Sequence, residues 1–148
     1  MARTYSQGFY TPRHPDKYKG KLDRIVFRSS WEEHFCKWAD NNQRVLEWAS
    51  EPFFIPYVKP TDGKVHKYFP DFWVKYLNEN GKVVQEVIEI KPLTQLIAPK
   101  FTGGKSKKTI LTEAITWAIN VAKWKAAEDF CDKYGMKFRK ITETQQFK

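Results

Sequence analysis

Asp71, Glu89 and Lys91 are residue types that can hydrolyse a phosphodiester bond. That reaction needs charge stabilised on the phosphate and a water made nucleophilic. Bound Mg²⁺ serves both needs, and it prefers carboxylate oxygens while keeping several waters. A nearby lysine can orient the water or offset the developing charge. Two or three acids must therefore converge on one point, best held by rigid strands. Asp71 follows Pro70, and Glu89 and Lys91 stand two apart, so in a strand both leave the same face. Val87, Ile88 and Ile90 make the rest of that segment apolar, so its two charges need a reason to be there.

The elements around these residues decide whether they meet. Lys67 to Leu77 and Lys82 to Lys91 have strand composition, and Asn78-Glu79-Asn80-Gly81 joins them as a hairpin. A three-residue loop, Glu79-Asn80-Gly81, pairs Asn78 with Lys82 and puts Gly81 in the left-handed conformation. Asp71 then lies directly opposite Glu89, with Cβ atoms ~4.5–5.5 Å apart. A two-residue Asn80-Gly81 turn shifts the register by one and sends the carboxylates to opposite faces. A further acid comes from a helix over roughly 30–42, with Ser29 and Ser30 as N-cap candidates and Asn41-Asn42 at its end. Glu32 shares a face with Phe35, Cys36 and Ala39, whereas Glu33 aligns with Lys37 and Asp40. Glu32 is the better candidate to point inward, with Glu33 one residue away as the alternative.

The rest of the chain reads more coarsely. Val45 to Val58 is broken by Pro52 and Pro56, so an irregular or edge strand is expected. Residues 99–108 hold Gly103-Gly104 with Lys100, Lys105, Lys107 and Lys108, a mobile basic loop suited to phosphate contacts. Thr112 to Tyr134 is a helical stretch closed by Gly135, with Trp117, Trp124 and Phe130 as its core stripe. Asn120 and Lys123 share that helix, from which a lysine can reach the acids. Met136 to Thr142 is the last strand. Helix, three strands, helix, strand is an α/β arrangement around a mixed sheet. Residues 1–28, with Arg3, Arg13, Lys17 and Lys19, read as a basic arm ordered on binding, leaving 29–148 as the domain.

The chain has 148 residues and a net charge of +9, which suits one core and a polyanionic partner such as DNA. Positive charge concentrates in residues 1–28 and 99–125. No apolar run approaches a membrane span, and the polar, basic N-terminus is unlike a secretory signal. Cys36 and Cys131 are expected to be reduced and buried, and no second ligand pair beside His34 and Cys36 suggests zinc. His14, His34 and His66 are isolated and receive no role.

Pro70-Asp71 followed by Glu89-Ile90-Lys91, with a preceding helix acid, resembles the PD-(D/E)XK nuclease superfamily. Phe27-Arg28-Ser29-Ser30-Trp31-Glu32, Trp48-Ala49-Ser50-Glu51, Ile55-Pro56-Tyr57, Tyr68-Phe69-Pro70-Asp71-Phe72 and the Asn120 to Trp124 stretch resemble the head completion nucleases of T-even-type phages. Those in turn are similar to the endonuclease subunit of heteromeric cut-and-paste transposases. The resemblance implies a restriction-endonuclease-like αβββαβ core, with a mixed sheet flanked by helices. It implies a deoxyribonuclease using Mg²⁺, or Mn²⁺ in its place, late in virion assembly, when filled heads join tails. Asp71 and Glu89 would be metal ligands, Lys91 the catalytic lysine and Glu32 a helper acid. Phage head or neck proteins would be partners, in the host cytoplasm or the virion. Two rivals stand beside it: a non-catalytic DNA-binding assembly protein that keeps the fold, and a structure-selective junction endonuclease.

Overall fold

A computed structural model describes residues 7–101 and 103–142, so Arg3 lies outside the described residues. In chain order the elements are β1 (Gly8–Phe9), β2 (Val26–Phe27), α1 (Ser30–Asn41), β3 (Val45–Ser50), β4 (Ile55–Val58), β5 (Val65–Tyr68), β6 (Phe72–Leu77), β7 (Val83–Ile90), α2 (Lys107–Lys133) and β8 (Lys137–Ile141). The central sheet runs β3-β6-β7-β8. β3, β6 and β7 pair antiparallel, and β8 joins β7 in parallel. With β4 and β5 set aside as a separate two-stranded sheet, the order is αβββαβ, a mixed sheet flanked by helices, as expected.

The hairpin between β6 and β7 takes the three-residue loop. Asn78 N–H donates to the Lys82 carbonyl at 2.8 Å, and Gly81 has φ 74°. The Asn78 Oδ1 also accepts from the Asn80 and Lys82 amides, which locks the turn. Phe72 pairs with Ile88 in this register, so the next pair outward is Asp71 with Glu89.

Three expectations about element boundaries are corrected. Lys67 to Leu77 is not one strand: Phe69-Pro70-Asp71 breaks it into β5 and β6. Pro70 has no N–H to give a ladder, and it is buried at the break. Val45 to Val58 likewise divides at Glu51–Phe54 into β3, at the sheet edge, and β4, which leaves the sheet to pair with β5. Lys107 and Lys108 are not loop residues but the first turn of α2, because the Ser106 Oγ accepts from the Thr109 amide and starts the helix early.

Residues 7–28 pack onto the body rather than extending from it. β1 pairs with β2, and Tyr18, Ile25 and Phe27 are buried. Lys17 Nζ donates to the Ala39, Asp40 and Asn42 carbonyls at 2.7–2.9 Å, closing the C-terminal end of α1. The buried Asp40 carboxylate accepts from the Tyr10 hydroxyl and from the Arg13 and His14 amides at 2.6–2.9 Å.

Two cores result. Phe35, Cys36 and Ala39 of α1 meet Trp48, Phe72, Val74 and Ile88 of the sheet, with the Phe35 and Phe72 rings stacked at 4.2 Å. On the other side, Ala127 of α2 packs with Ile55, Tyr57 and Tyr68 of the β4–β5 hairpin. Cys36 and Cys131 are free and buried, as expected. Among the described residues no helix is long and apolar enough to cross a membrane.

Candidate active site

The Pro70-Asp71 turn is held on two sides. The Asp71 carbonyl accepts from the Glu51 amide at 2.9 Å, with Glu51 in the left-handed region at φ 45°. A left-handed glutamate is costly backbone, and such strain concentrates at sites that need a fixed geometry. Glu51 in turn pairs with the Arg28 guanidinium. The Asp71 Oδ2 accepts from the Ile90 amide at 2.8 Å, one residue past Glu89. The Asp71 residue keeps some exposure, but its carboxyl group lies deep between the strands.

Glu89 is buried, at 6% exposure. Its Oε1 accepts from the Tyr68 hydroxyl at 2.8 Å, and its Oε2 lies 3.7 Å from Lys91 Nζ. Lys91 leaves the same face two residues later, held there because its amide donates to the Ile141 carbonyl of β8 at 3.0 Å. From α1, Glu32 reaches toward the same point. The Ser29 cap aims the first turn at the sheet end, and Glu32 Oε1 accepts from the Arg28 amide at 3.3 Å. Glu33 is turned away to Lys37, 3.9 Å from its Nζ. Of the two helix acids, then, Glu32 faces Asp71.

The electrostatics are those of acids crowded without enough counter-charge. Burial pushes the Asp71 carboxyl well above the usual range, and the Glu89 and Glu32 charges push it further. Burial also raises Glu89 and Glu32, against the Tyr68 hydroxyl and the Arg28 amide respectively. Opposite them stands Lys123 of α2, half-buried, its pKa lowered by burial and then by repulsion from Lys91. Its ammonium lies 5.7 Å from the Tyr68 ring centre and 5.8 Å from that of Tyr57.

Among the described residues, no three His, Cys, Asp or Glu side chains are close enough together to cage a metal. Asp71 and Glu89 offer a carboxylate pair on neighbouring strands instead. Such a pair fits an ion that takes one or two carboxylates and completes its shell with water, as Mg²⁺ does, and it does not fit a structural zinc.

Sequence reasoning reached Asp71, Glu89, Lys91 and Glu32, and the fold brings all four together. It did not single out Tyr68. The signal available was its place opposite Ile55 at the end of a strand, which gives no hint that its hydroxyl would meet Glu89. The basic segment divides. Lys105 Nζ donates to the Lys100 carbonyl and to Glu113 Oε1, both at 2.8 Å, tying the loop to α2. Lys100, Lys107 and Lys108 are exposed. A cavity of about 550 Å³ between this loop and α2 is lined by Ile97, Pro99, Thr112, Trp117 and Asn120, and none of the four central residues lines it. A polymeric substrate laid across a surface does not need such a recess.

Residues 42–143 match the TnsA-like endonuclease N-terminal family. The chain belongs to that family. It is also 37% identical to the head completion nuclease of Enterobacteria phage T4 over 139 residues, which is 92% of this chain and 90% of that protein. The matched span of the TnsA-like family runs from the start of the central sheet through β8, and so includes Asp71, Glu89, Lys91 and Lys123. Glu32, on α1, lies before it.

Proposed function

We propose that the protein is a metal-dependent deoxyribonuclease of the PD-(D/E)XK type, acting in phage head completion. The observation that carries this reading is the strand register that sets Asp71 beside Glu89, with Lys91 two residues on. The TnsA-like family and the head completion nuclease of phage T4 support nuclease chemistry and its setting in head completion.

Asp71 and Glu89 would hold Mg²⁺, or Mn²⁺ in its place. When bound, the ion supplies charge stabilisation at the phosphate and eases deprotonation of a water. Tyr68 fixes the rotamer of Glu89 through its hydrogen bond, so the carboxylate meets its ligand already oriented. Lys91 orients the attacking water or neutralises the developing charge, held in place by β8. Glu32 would accept hydrogen bonds from waters that such an ion retains. Lys123 brings a second cation to the phosphate from the α2 side.

DNA would approach along the basic loop and the start of α2. Lys107 and Lys108 occupy the first helical turn, which has no acidic residue. Cations there oppose the helix dipole and cost stability, which is consistent with a role in binding anions. Lys107→Ala with Lys108→Ala should weaken DNA binding uniformly across sequences. The slope of log affinity against log salt should fall by roughly 2.

The deciding experiment is cleavage of plasmid and linear DNA with Mg²⁺, with Mn²⁺ and with EDTA. Wild type is compared with Asp71→Asn and Lys91→Ala, with folding checked by circular dichroism. Metal-dependent cleavage lost in both variants supports the reading. DNA bound but cut by none of the three overturns it and leaves a non-catalytic DNA-binding assembly protein.

A further inference from the structure

The β4–β5 hairpin has one buried face and one bare one. Ile55, Tyr57 and Tyr68 point inward to α2. The alternate residues, Phe54, Pro56, Val58, Val65, Lys67 and Phe69, are all exposed. Val58 and Val65 show 57% and 70% of their surface, and Phe54 and Phe69 show 45% and 52%. Phe54 and Phe69 flank the Ile55–Tyr68 pair at the open end of the hairpin, with ring centres 6.1 Å apart. Lys67 Nζ sits 4.8 Å from the centre of the Phe54 ring. A contiguous apolar face of this kind, left in water, marks a binding surface.

Its place and charge say what it binds. Phe69 is followed by buried Pro70 and then Asp71, so its backbone lies two residues from the acid pair along the chain. The segment is rigid, because Tyr68 is hydrogen-bonded to Glu89 on one side and Asp71 is fixed to Glu51 and Ile90 on the other. The hairpin carries Lys59, Lys64 and Lys67 against one acid, Asp62, which pairs with His66. Exposed aromatic rings among lysines, beside a phosphate-hydrolysing centre, match a strand with splayed bases, which offers flat π-faces and phosphates together. A duplex keeps its bases stacked inside and has nothing to offer these rings.

We propose that this face is a stacking platform for unpaired nucleotides of the DNA substrate, in which Phe54 and Phe69 take base faces and Lys67 the adjoining phosphate; it rests on the nuclease reading above. It makes the enzyme selective for ends, overhangs or junctions where bases are free.

The test uses the full chain in an Asp71→Asn background, with oligonucleotides carrying 2-aminopurine in a single-stranded tail beside a duplex. Base stacking on a ring quenches the fluorophore. Phe54→Ala with Phe69→Ala should weaken binding of the tailed oligonucleotide by about tenfold and remove the quenching. Phe69→Trp should retain both. In the active chain, the rate on tailed DNA relative to flush duplex should fall by a similar factor in the double alanine variant. Binding, quenching and rate ratio all equal to wild type would overturn the platform and assign the face to a protein partner. The two failures are separable. A wild-type chain that cuts no DNA, yet whose binding and quenching depend on the two rings, would sink the nuclease reading and keep the platform.

Discussion

Asp40 and Asp71 both carry their carboxyl groups inside the fold, and the protein treats them in opposite ways. Asp40 receives three donors, the Tyr10 hydroxyl and the Arg13 and His14 amides. Burial alone would raise its pKa, but those hydrogen bonds outweigh it and hold the carboxyl below the usual range. Asp71 receives the Ile90 amide and is crowded by Glu89 and Glu32, so it is pushed up. Each corner also has its own half-buried lysine, Lys17 at the first and Lys123 at the second, and burial lowers the pKa of both. Lys17 spends its three protons on carbonyls, whereas Lys123 faces Tyr57 and Tyr68 across ring contacts near the acids. A carboxylate with its donors supplied holds the chain together. A carboxylate left short of donors among other acids is arranged for something that arrives from outside.

The strongest way to break that contrast is Asp71→Asn. It should lower DNA cleavage by ~10³-fold or more while leaving the melting temperature without metal equal to wild type or higher. A variant that loses stability in step with activity would make Asp71 a structural acid like Asp40. Next in size is Asp40→Ala, which should cost about 3 kcal/mol by urea denaturation, because it takes the shared acceptor from three part-buried hydrogen bonds. Its cleavage rate per folded molecule should stay near wild type.

Adding Mg²⁺ at about 100 times its dissociation constant should stabilise wild type by about 2.7 kcal/mol. Thermal melts should show that shift in Asp40→Asn and not in Asp71→Asn. The pH dependence has opposite signs at the two corners. Asp40 is depressed when folded, so its stabilisation is present above about 3.9, the unfolded value, and is lost as pH falls through the lower folded one. Asp71, Glu89 and Glu32 are raised, so the folded state holds protons the unfolded chain has released. Stability without metal should therefore fall as pH rises from about 4 through their elevated values. Melts of Asp71→Asn should lose much of that decline, and melts of Asp40→Asn should keep it.

The smallest expected effects come from the lysines. Lys17→Met should lower stability by about 1–2 kcal/mol, as the α1 carbonyls lose their donor. Lys123→Ala should slow cleavage about tenfold with little change in melting.

What was legible in the sequence was local. Asn78 to Gly81 announced a hairpin but left two loops open, and it is the Asn78 side chain, bonded to the Asn80 and Lys82 amides, that selects the three-residue loop and the register bringing Asp71 to Glu89. Helical spacing placed Glu32 on the buried side, next to Phe35 and Cys36. What escaped depends on partners distant in the chain. Tyr10, Tyr18, Ile25 and Phe27 lie among basic residues, prolines and glycines, so their segment read as an arm, yet Trp48 and Asp40 give them a place to pack. Nothing near Tyr68 announces that its hydroxyl meets an acid twenty-one residues on. The early start of α2 was hidden because Gly103-Gly104 and the lysines outweighed one capping serine.

The parallel seating of β8 sets the order of events at synthesis. Among the described elements β8 is made last, it reaches β7 only after α2 has crossed over, and its Ile141 carbonyl is what anchors Lys91. Acids, helix and hairpin all emerge from the ribosome before the strand that completes their geometry. The site therefore assembles only once β8 has been translated, and a product truncated before residue 137 would carry the acids without a fixed lysine. Because parallel pairing across such a crossover closes slowly, the newborn chain passes through a period in which it holds the chemistry and cannot use it.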